Sequence, residues 1–148
     1  MTTAEKTPGC VLCRARDGED GADRLIVHAA ELSFVVMNLF PYTGGHVMVA
    51  PKRHVGSLGE ASLDELQEMV ALVRRLETVF QAEYRPDGIN VGMNLGRSAG
   101  AGVADHIHVH VVPRWTGDTN FMTVVAGTRV IPEDPAQACL RLRPYFAR

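Results

Sequence analysis

Three histidines stand at every second position in Asp105-His106-Ile107-His108-Val109-His110-Val111-Val112-Pro113-Arg114-Trp115, set between β-branched residues. In an extended strand, side chains two apart share a face, so His106, His108 and His110 would form one row while Ile107, Val109 and Val111 face the other way. A strand interior is costly ground for three polar rings, each needing a hydrogen-bond partner when buried. A single histidine in a strand is ordinarily a satisfied core or surface residue. Three in strict alternation, half of the six in the chain, point to a use. Imidazole is the side chain that serves near pH 7 as nucleophile, proton carrier or metal ligand.

Two further stretches could do chemistry. Cys10-Val11-Leu12-Cys13 spaces two thiols as a knuckle presents two sulfurs to one zinc, although the same spacing suits a redox pair or two ordinary thiols. Leu95-Gly96-Arg97-Ser98-Ala99-Gly100-Ala101-Gly102-Val103-Ala104 leads directly into the histidine row. Its glycines and small residues leave backbone amides uncovered, and consecutive free N–H groups make a concavity suited to phosphate oxygens. A plain hairpin connection can look the same, but the position of Gly100, Ala101 and Gly102 just before the histidines favours an anion cradle.

Composition bounds what these residues can belong to. The chain has 148 residues, 46% hydrophobic and 22% charged, enough for one domain with a real core over residues 1–148, of which 1–9 form a flexible N-terminus. A formal charge of -2 supplies no basic field for long nucleic acid, while a small anion can still be held by local donors. No run approaches the ~18 apolar residues of a membrane span, and the first residues lack a basic segment followed by an apolar one. Three cysteines, an odd number, fit a reducing compartment, and a cytoplasmic protein is expected.

The elements that must position the chemistry can be read in order. The polar, Gly-rich, acidic residues 17–23 read as a surface loop. Leu25-Ile26-Val27 and Leu32-Ser33-Phe34-Val35-Val36-Met37 read as a hairpin, with His28 exposed at the end of its first strand. Asn38 follows the second run, and the chain returns through a turn as His46-Val47-Met48-Val49-Ala50. Ser62-Leu63-Asp64-Glu65 is a capping box that starts a long helix ending near Tyr84. Its apolar stripe is Leu66, Met69, Val70, Val73, Leu76 and Phe80, opposite Glu68, Arg74, Arg75 and Glu77. Ile89-Asn90-Val91-Gly92-Met93-Asn94 alternates and should lie beside the histidine strand. Residues 121–125 read as one more short strand, and a terminal helix starts at the Pro-Glu-Asp-Pro run, over 135–148.

Together these stretches resemble the histidine triad (HIT) superfamily of nucleotide hydrolases and transferases. The likeness rests on the alternating histidines, on Asn38 through His54, and on Pro113-Arg114-Trp115-Thr116-Gly117-Asp118-Thr119-Asn120-Phe121-Met122. It is similar to the bacterial branch related to diadenosine polyphosphate hydrolases and phosphorylases. The resemblance implies an α+β HIT-like fold, an antiparallel sheet of about five strands with one long helix and a C-terminal helix, pairing as a homodimer. It implies a structural zinc on Cys10, Cys13, His54 and His106, and no organic cofactor. It places Asn38 on the nucleotide ribose and Asn94 on the phosphate, with His46, Gly100, Ala101 and Gly102 also toward substrate. The Gln and the Ser or Thr that commonly precede the triad are replaced here by small residues, so a phosphoramidate-cleaving activity is not carried over.

The chemistry implied is displacement at phosphorus in two steps, with His108 as nucleophile and His110 and His106 as further catalytic groups. A histidine spent on zinc cannot also serve as an acid, so the two uses of His106 compete. The substrate would be a dinucleoside polyphosphate such as diadenosine tetraphosphate, with water as acceptor, or phosphate in a phosphorylase. Two other readings are a structural zinc module using His108 and His110 with the cysteines, and a nucleotide sensor without turnover. Trp115 reads as an interface anchor rather than a base-stacking platform.

Overall fold

The computed structural model describes residues 9–38, 44–100, 105–118 and 133–147, and the β-branched runs within them form a five-stranded antiparallel sheet. Its strands are β1 (Ile26–Ala29), β2 (Ser33–Met37), β3 (Val47–Pro51), β4 (Gly88–Met93) and β5 (Val109–Arg114). The spatial order is β1-β2-β3-β5-β4. This places the histidine-bearing β5 between β3 and β4, with Met48 opposite His110 on one side and Gly92 opposite it on the other.

The two faces of the sheet do different work. Ser33 donates from its hydroxyl to Glu68 of the long helix α2 (Leu63–Glu83), which puts its face of the sheet toward that helix. Val35, Met37, Val47, Val49 and Val111 share the face by alternation and register, and all are buried. Val36, Met48 and His110 therefore point the opposite way.

The capping box forms as its sequence indicates. The Glu65 N–H donates to Ser62 Oγ at 3.0 Å, and the Ser62 N–H donates to Glu65 Oε1 at 2.8 Å. Buried along α2 are Met69, Leu72, Leu76, Val79 and Phe80, with Leu66 and Val73 partly covered. Val70, expected in this stripe, is 68% exposed. It lies about 100° around the helix from Met69, on the flank of the buried stripe. Of the expected polar face, Glu68 also accepts the Leu32 N–H at 2.9 Å, and Arg75 donates to the Tyr145 carbonyl at 3.1 Å. Those two residues join elements rather than face solvent alone.

The amino-terminal region differs from the expected loop. Cys10 caps a short helix α1 (Val11–Asp17), its Sγ accepting the Cys13 N–H at 3.5 Å. Gly18 ends that helix at φ +70°, and 3-10 turns over Glu19–Leu25 follow, broken by a kink at Asp20 and Gly21, both at positive φ. Gly18 closes α1, because a left-handed residue at a helix end lets its N–H reach back to the Ala15 and Arg14 carbonyls. A third helix, α3 (Pro135–Phe146), is capped by Asp134 and packs on β1, β2 and α2. His28, expected to be exposed, stacks on Phe146 of this helix with ring centroids 5.0 Å apart.

β5 is shorter than the histidine pattern suggests. The β3–β5 ladder stops at Val49 and Val109, so His106 and His108 lie in the approach to the strand. One cause is local: Pro51 has no N–H for a ladder, and its carbonyl accepts the side chain of His106 at 2.8 Å instead. The approach segment is held by the 54–56 turn, where the Ile107 N–H donates to the Val55 carbonyl at 2.8 Å. A Cβ on Gly56 would stand 3.1 Å from Asp105 Cα, so a side chain there would press the two backbones apart by a few tenths of an ångström.

The expected strand at 121–125 and the amino-terminal residues 1–8 lie outside the described residues. Among the described residues no helix is long and apolar enough to cross a membrane.

Glu65 gives this fold a testable dependence on pH. It is buried, bonds Arg53 at 2.6 Å and 3.0 Å, and is held below the usual glutamate range first by those bonds, with burial opposing. A carboxyl depressed in the folded state contributes stability fully above its unfolded value of about 4.3, and loses it as pH falls through the folded value. Ser62→Ala should cost about 1 kcal/mol. Glu65→Gln should lower Tm at neutral pH and converge with the parent protein in acid; a Tm gap that widens on acidification would contradict this role.

Candidate active site and metal centre

Two groups of side chains meet at the start of β5, and His106 belongs to one while His108 and His110 belong to the other. The first group is Cys10 and Cys13 at the start of α1, His54 after β3, and His106. Cys10 Sγ lies 3.3 Å from His106 Nδ1, Cys13 Sγ lies 3.4 Å from His54 Nδ1 and 3.6 Å from His106 Nδ1, and the two Nδ1 atoms are 3.2 Å apart. All four ligand atoms fall within 4.8 Å of one another.

These separations can be compared with a tetrahedral site. Metal–sulfur and metal–nitrogen bonds of roughly 2.3 and 2.0–2.1 Å give tetrahedral edges of about 3.6 Å between S and N and about 3.3 Å between two nitrogens. The three S–N separations of 3.3, 3.4 and 3.6 Å and the N–N separation of 3.2 Å lie close to these edges. His106 Nε2 sits 2.8 Å from the Pro51 carbonyl, which can only accept, so Nε2 carries the proton and Nδ1 turns its lone pair to the sulfurs. Burial, ahead of every other cause, pushes His106 down to about 4, so the ring is neutral and able to ligate.

Both nitrogens of His106 are therefore directed away from His108 and His110. The expectation that His106 also moves a proton in catalysis finds no free nitrogen to do it. Its main chain reaches the second group, because His108 Nδ1 lies 3.0 Å from the His106 carbonyl oxygen. A carbonyl accepts only, so His108 Nδ1 carries the proton and its Nε2 keeps the lone pair.

The second group continues as a chain of side chains. The rings of His108 and His110 meet edge to face at 4.8 Å. His110 Nδ1 is 2.9 Å from His46 Nε2, and His46 Nδ1 is 3.0 Å from Asn38 Nδ2. Burial pushes His46 down to about 4, with His110 and His108 adding to it, and lowers His110 as well. His46, expected to touch substrate, has both nitrogens engaged within the protein. A structural hydrogen bond at a strand end is the other expectation for His46, but its partners were not read from the sequence; a usable signal was parity, since His46 shares a strand face with Met48, which pairs with His110.

Of the expected phosphate ligands, Asn94 lies one residue beyond the last paired residues, Met93 and Val109. It therefore comes level with His108, on the same face as Gly92 and His110. Its Nδ2 donates to the Gly100 carbonyl at 3.3 Å. Ala101 and Gly102 lie outside the described residues. A Cβ on Gly92 would meet nothing within 4 Å, which leaves room beside His110. A cleft beside Val36 and Met48 is walled by Leu12, Ala15 and Leu25 and also carries the charged Arg14, Glu19, Asp20 and Arg24; His108, His110 and Asn94 are not in its lining. Trp115, expected at an interface, packs within the chain: Nε1 donates to the Tyr84 carbonyl at 3.3 Å and the ring meets Tyr84 edge to face.

Comparison with known proteins bears on both groups. The HIT domain family matches residues 20–117. An AP-4-A phosphorylase of Mycobacterium tuberculosis is 47% identical over 109 residues, 74% of this chain and 56% of that protein. A bis(5'-adenosyl)-triphosphatase of Dictyostelium discoideum is 35% identical over 60% of this chain and 59% of its own length. The chain thus spans little more than half the length of these two curated relatives. Among solved structures, a zinc-bound histidine triad family protein from Mycobacterium smegmatis superposes with a TM-score of 0.75 at 27% identity, covering 94% of each chain.

The four-residue cluster makes a direct prediction. Cobalt(II) added to protein stripped of metal should bind at about one ion per chain and give the intense visible absorption of a tetrahedral site with thiolate ligands. Cys10→Ser should weaken that absorption and lower Tm in metal-replete buffer. Absence of the absorption in folded wild-type protein would exclude the site.

Proposed function

Because the chain belongs to the HIT domain family, we propose that it transfers the nucleotidyl group of a dinucleoside polyphosphate, such as diadenosine tetraphosphate, through a covalent bond to His108. The observation that carries this reading is the 3.0 Å contact of His108 Nδ1 with the His106 carbonyl. It leaves Nε2 as an unprotonated nucleophile. Attack on the α-phosphorus forms a P–N bond and breaks the P–O bond to the rest of the polyphosphate. With diadenosine tetraphosphate, ATP departs with the bonding pair and AMP remains on the ring. His110, Asn94 and the amides of Gly100, Ala101 and Gly102 would bear the charge on the non-bridging oxygens. The cleft beside Met48 and Val36 suits a base, and Asn38 would reach toward the ribose.

Cys10, Cys13, His54 and His106 would hold a structural zinc, the ion that two thiolates and two imidazoles suit best. It would add folding energy and fix His106. The three free cysteines fit the reducing cytoplasm. A homodimer is supported by β4, which among the described residues is an edge strand with no proline or charge and whose Val91 is 53% exposed, since such an edge invites pairing.

The acceptor that resolves the adduct is either water, releasing AMP, or inorganic phosphate, releasing ADP. Water comes first because it needs no dedicated site. The phosphorylase reading is favoured by the name of the relative at 47% identity and by the small residues that precede His106.

Chromatography of products from diadenosine tetraphosphate should show ATP and AMP at every phosphate level. ADP replacing AMP in proportion to added phosphate would establish the phosphorylase instead. Binding of AMP with no product from any dinucleoside polyphosphate would leave a sensor. His108→Ala should keep its fold and lose turnover by roughly a thousandfold or more.

A further inference from the structure

Cys10 and Cys13 have the spacing of a redox pair as well as of a metal knuckle, and the structure assigns them a second use. The pair is a site of reversible oxidation, and closing it as a disulfide gives up the metal and loosens the nucleotide face. This inference rests on the zinc reading of the cluster and goes beyond a structural role for it.

The two sulfurs are already neighbours. Cys10 caps α1, and the Cys13 N–H donates to Cys10 Sγ at 3.5 Å. Both sulfurs belong to a donor set that spans no more than 4.8 Å. Cys139, the third cysteine, lies in α3 outside that set, so each sulfur of the pair has the other as its partner for oxidation. The cluster is not sealed either. Cys10 keeps 6% of its surface and His54 is half-buried, which admits an oxidant as small as hydrogen peroxide.

Cysteine binds zinc as thiolate, and thiolates oxidise stepwise. The Cys10 thiolate attacks one oxygen of hydrogen peroxide, forming an S–O bond and releasing hydroxide. The Cys13 thiolate then attacks the Cys10 sulfur; the S–O bond breaks, an S–S bond forms and a second hydroxide leaves. Two electrons pass from the sulfur pair to the peroxide. Two anionic ligands are lost in the process, and His54 and His106 alone do not make a closed metal site.

The structural effect falls on one side of the molecule. α1 has seven residues, too few to persist without tertiary anchors, and Cys10 and Cys13 anchor its start. Val11, Leu12, Arg14 and Ala15 of the same helix line the cleft beside Val36 and Met48. His106 loses the sulfur partners of its Nδ1, and its carbonyl is the group that holds Nδ1 of His108. The opposite face has its own ties, Ser33 to Glu68 and the Ser62–Glu65 capping box, and neither includes a cluster residue. Oxidation therefore opens α1 and the approach to β5 while α2 stays folded, a local transition rather than a global one. By linkage, a nucleotide that binds the closed form protects the thiols by the same factor that oxidation costs it in affinity.

Zinc-loaded wild-type protein treated with hydrogen peroxide tests this, followed by zinc release to a chromogenic chelator, peptide mass and hydrogen exchange. About one zinc per chain should be released, and the peptide carrying Cys10 and Cys13 should lose the mass of two hydrogens. Exchange should rise over residues 10–17 and 105–108 and stay unchanged in α2. The Kd of AMP should rise about tenfold or more, saturating AMP should slow zinc release, and a dithiol reductant with added zinc should restore the starting state. Sulfinic acids in place of the disulfide would overturn the proposal, as would zinc release that leaves AMP affinity unchanged. Exchange rising through α2 as well would also reject it, leaving the cluster a support of the whole fold. Zinc content is measured before peroxide is added. Protein that never held zinc would reject the metal reading and the switch with it, whereas zinc retained under peroxide would reject the switch alone. The exchange measurement needs no nucleotide, so a failure to bind AMP beside the expected exchange pattern would count against the proposed reaction and not against the oxidation site.

Discussion

One residue, His106, is bonded in three directions, and the site depends on all three being satisfied together. Its Nε2–H goes to the Pro51 carbonyl, its Nδ1 faces Cys10, Cys13 and His54, and its carbonyl receives Nδ1–H of His108. A buried imidazole with only some of these partners would leave unpaired polar atoms, each costing on the order of 1–3 kcal/mol. Satisfied, it ties the end of β3, the start of α1 and the approach to β5 to one point. His108 is thus held through the main chain of a residue whose side chain belongs to the cluster.

The sheet extends this constraint. Its valine face packs on α2, while on the opposite face Phe34, Val36 and Met48 belong to the same buried core and His110 stands beside them. α1 lines the cleft on that face and is itself anchored by Cys10 and Cys13. Loss of the cluster would therefore act on the fold, on the cleft wall and on the tautomer of His108 through the same residues. The Gly56–Asp105 contact lies in the same place and sets how closely the histidine segment can approach the 54–56 turn.

Much of this was legible because the relevant patterns are local. The capping box at Ser62 placed the start of α2, the alternation of residues 106–110 marked the segment on which both groups of side chains meet, and residues 89–94 were read as the neighbour of the histidine strand. The cysteine pair alone left zinc, redox and inert thiols open, and only the resemblance joined it to His54 and His106. What failed was what depends on register or on a single residue's surroundings. Val70 satisfies the spacing rule yet sits on the helix flank, His28 is covered by a helix more than a hundred residues away, and β5 begins later than its alternation because Pro51 ends the ladder. The Asn38–His46–His110 chain joins a turn to a strand 64 residues on, which no spacing along the sequence can announce.

The central claim is that His108, holding its lone pair on Nε2, becomes covalently bonded to the nucleotide. Diadenosine tetraphosphate carrying label in its α-phosphates can be mixed rapidly with the protein, quenched in base to preserve a phosphoramidate, and the digested peptides sequenced by mass. The account predicts one nucleotidyl group on the peptide containing His108, formed and lost at rates compatible with turnover. Steady turnover with no adduct, or an adduct on His110 or His106, would contradict it.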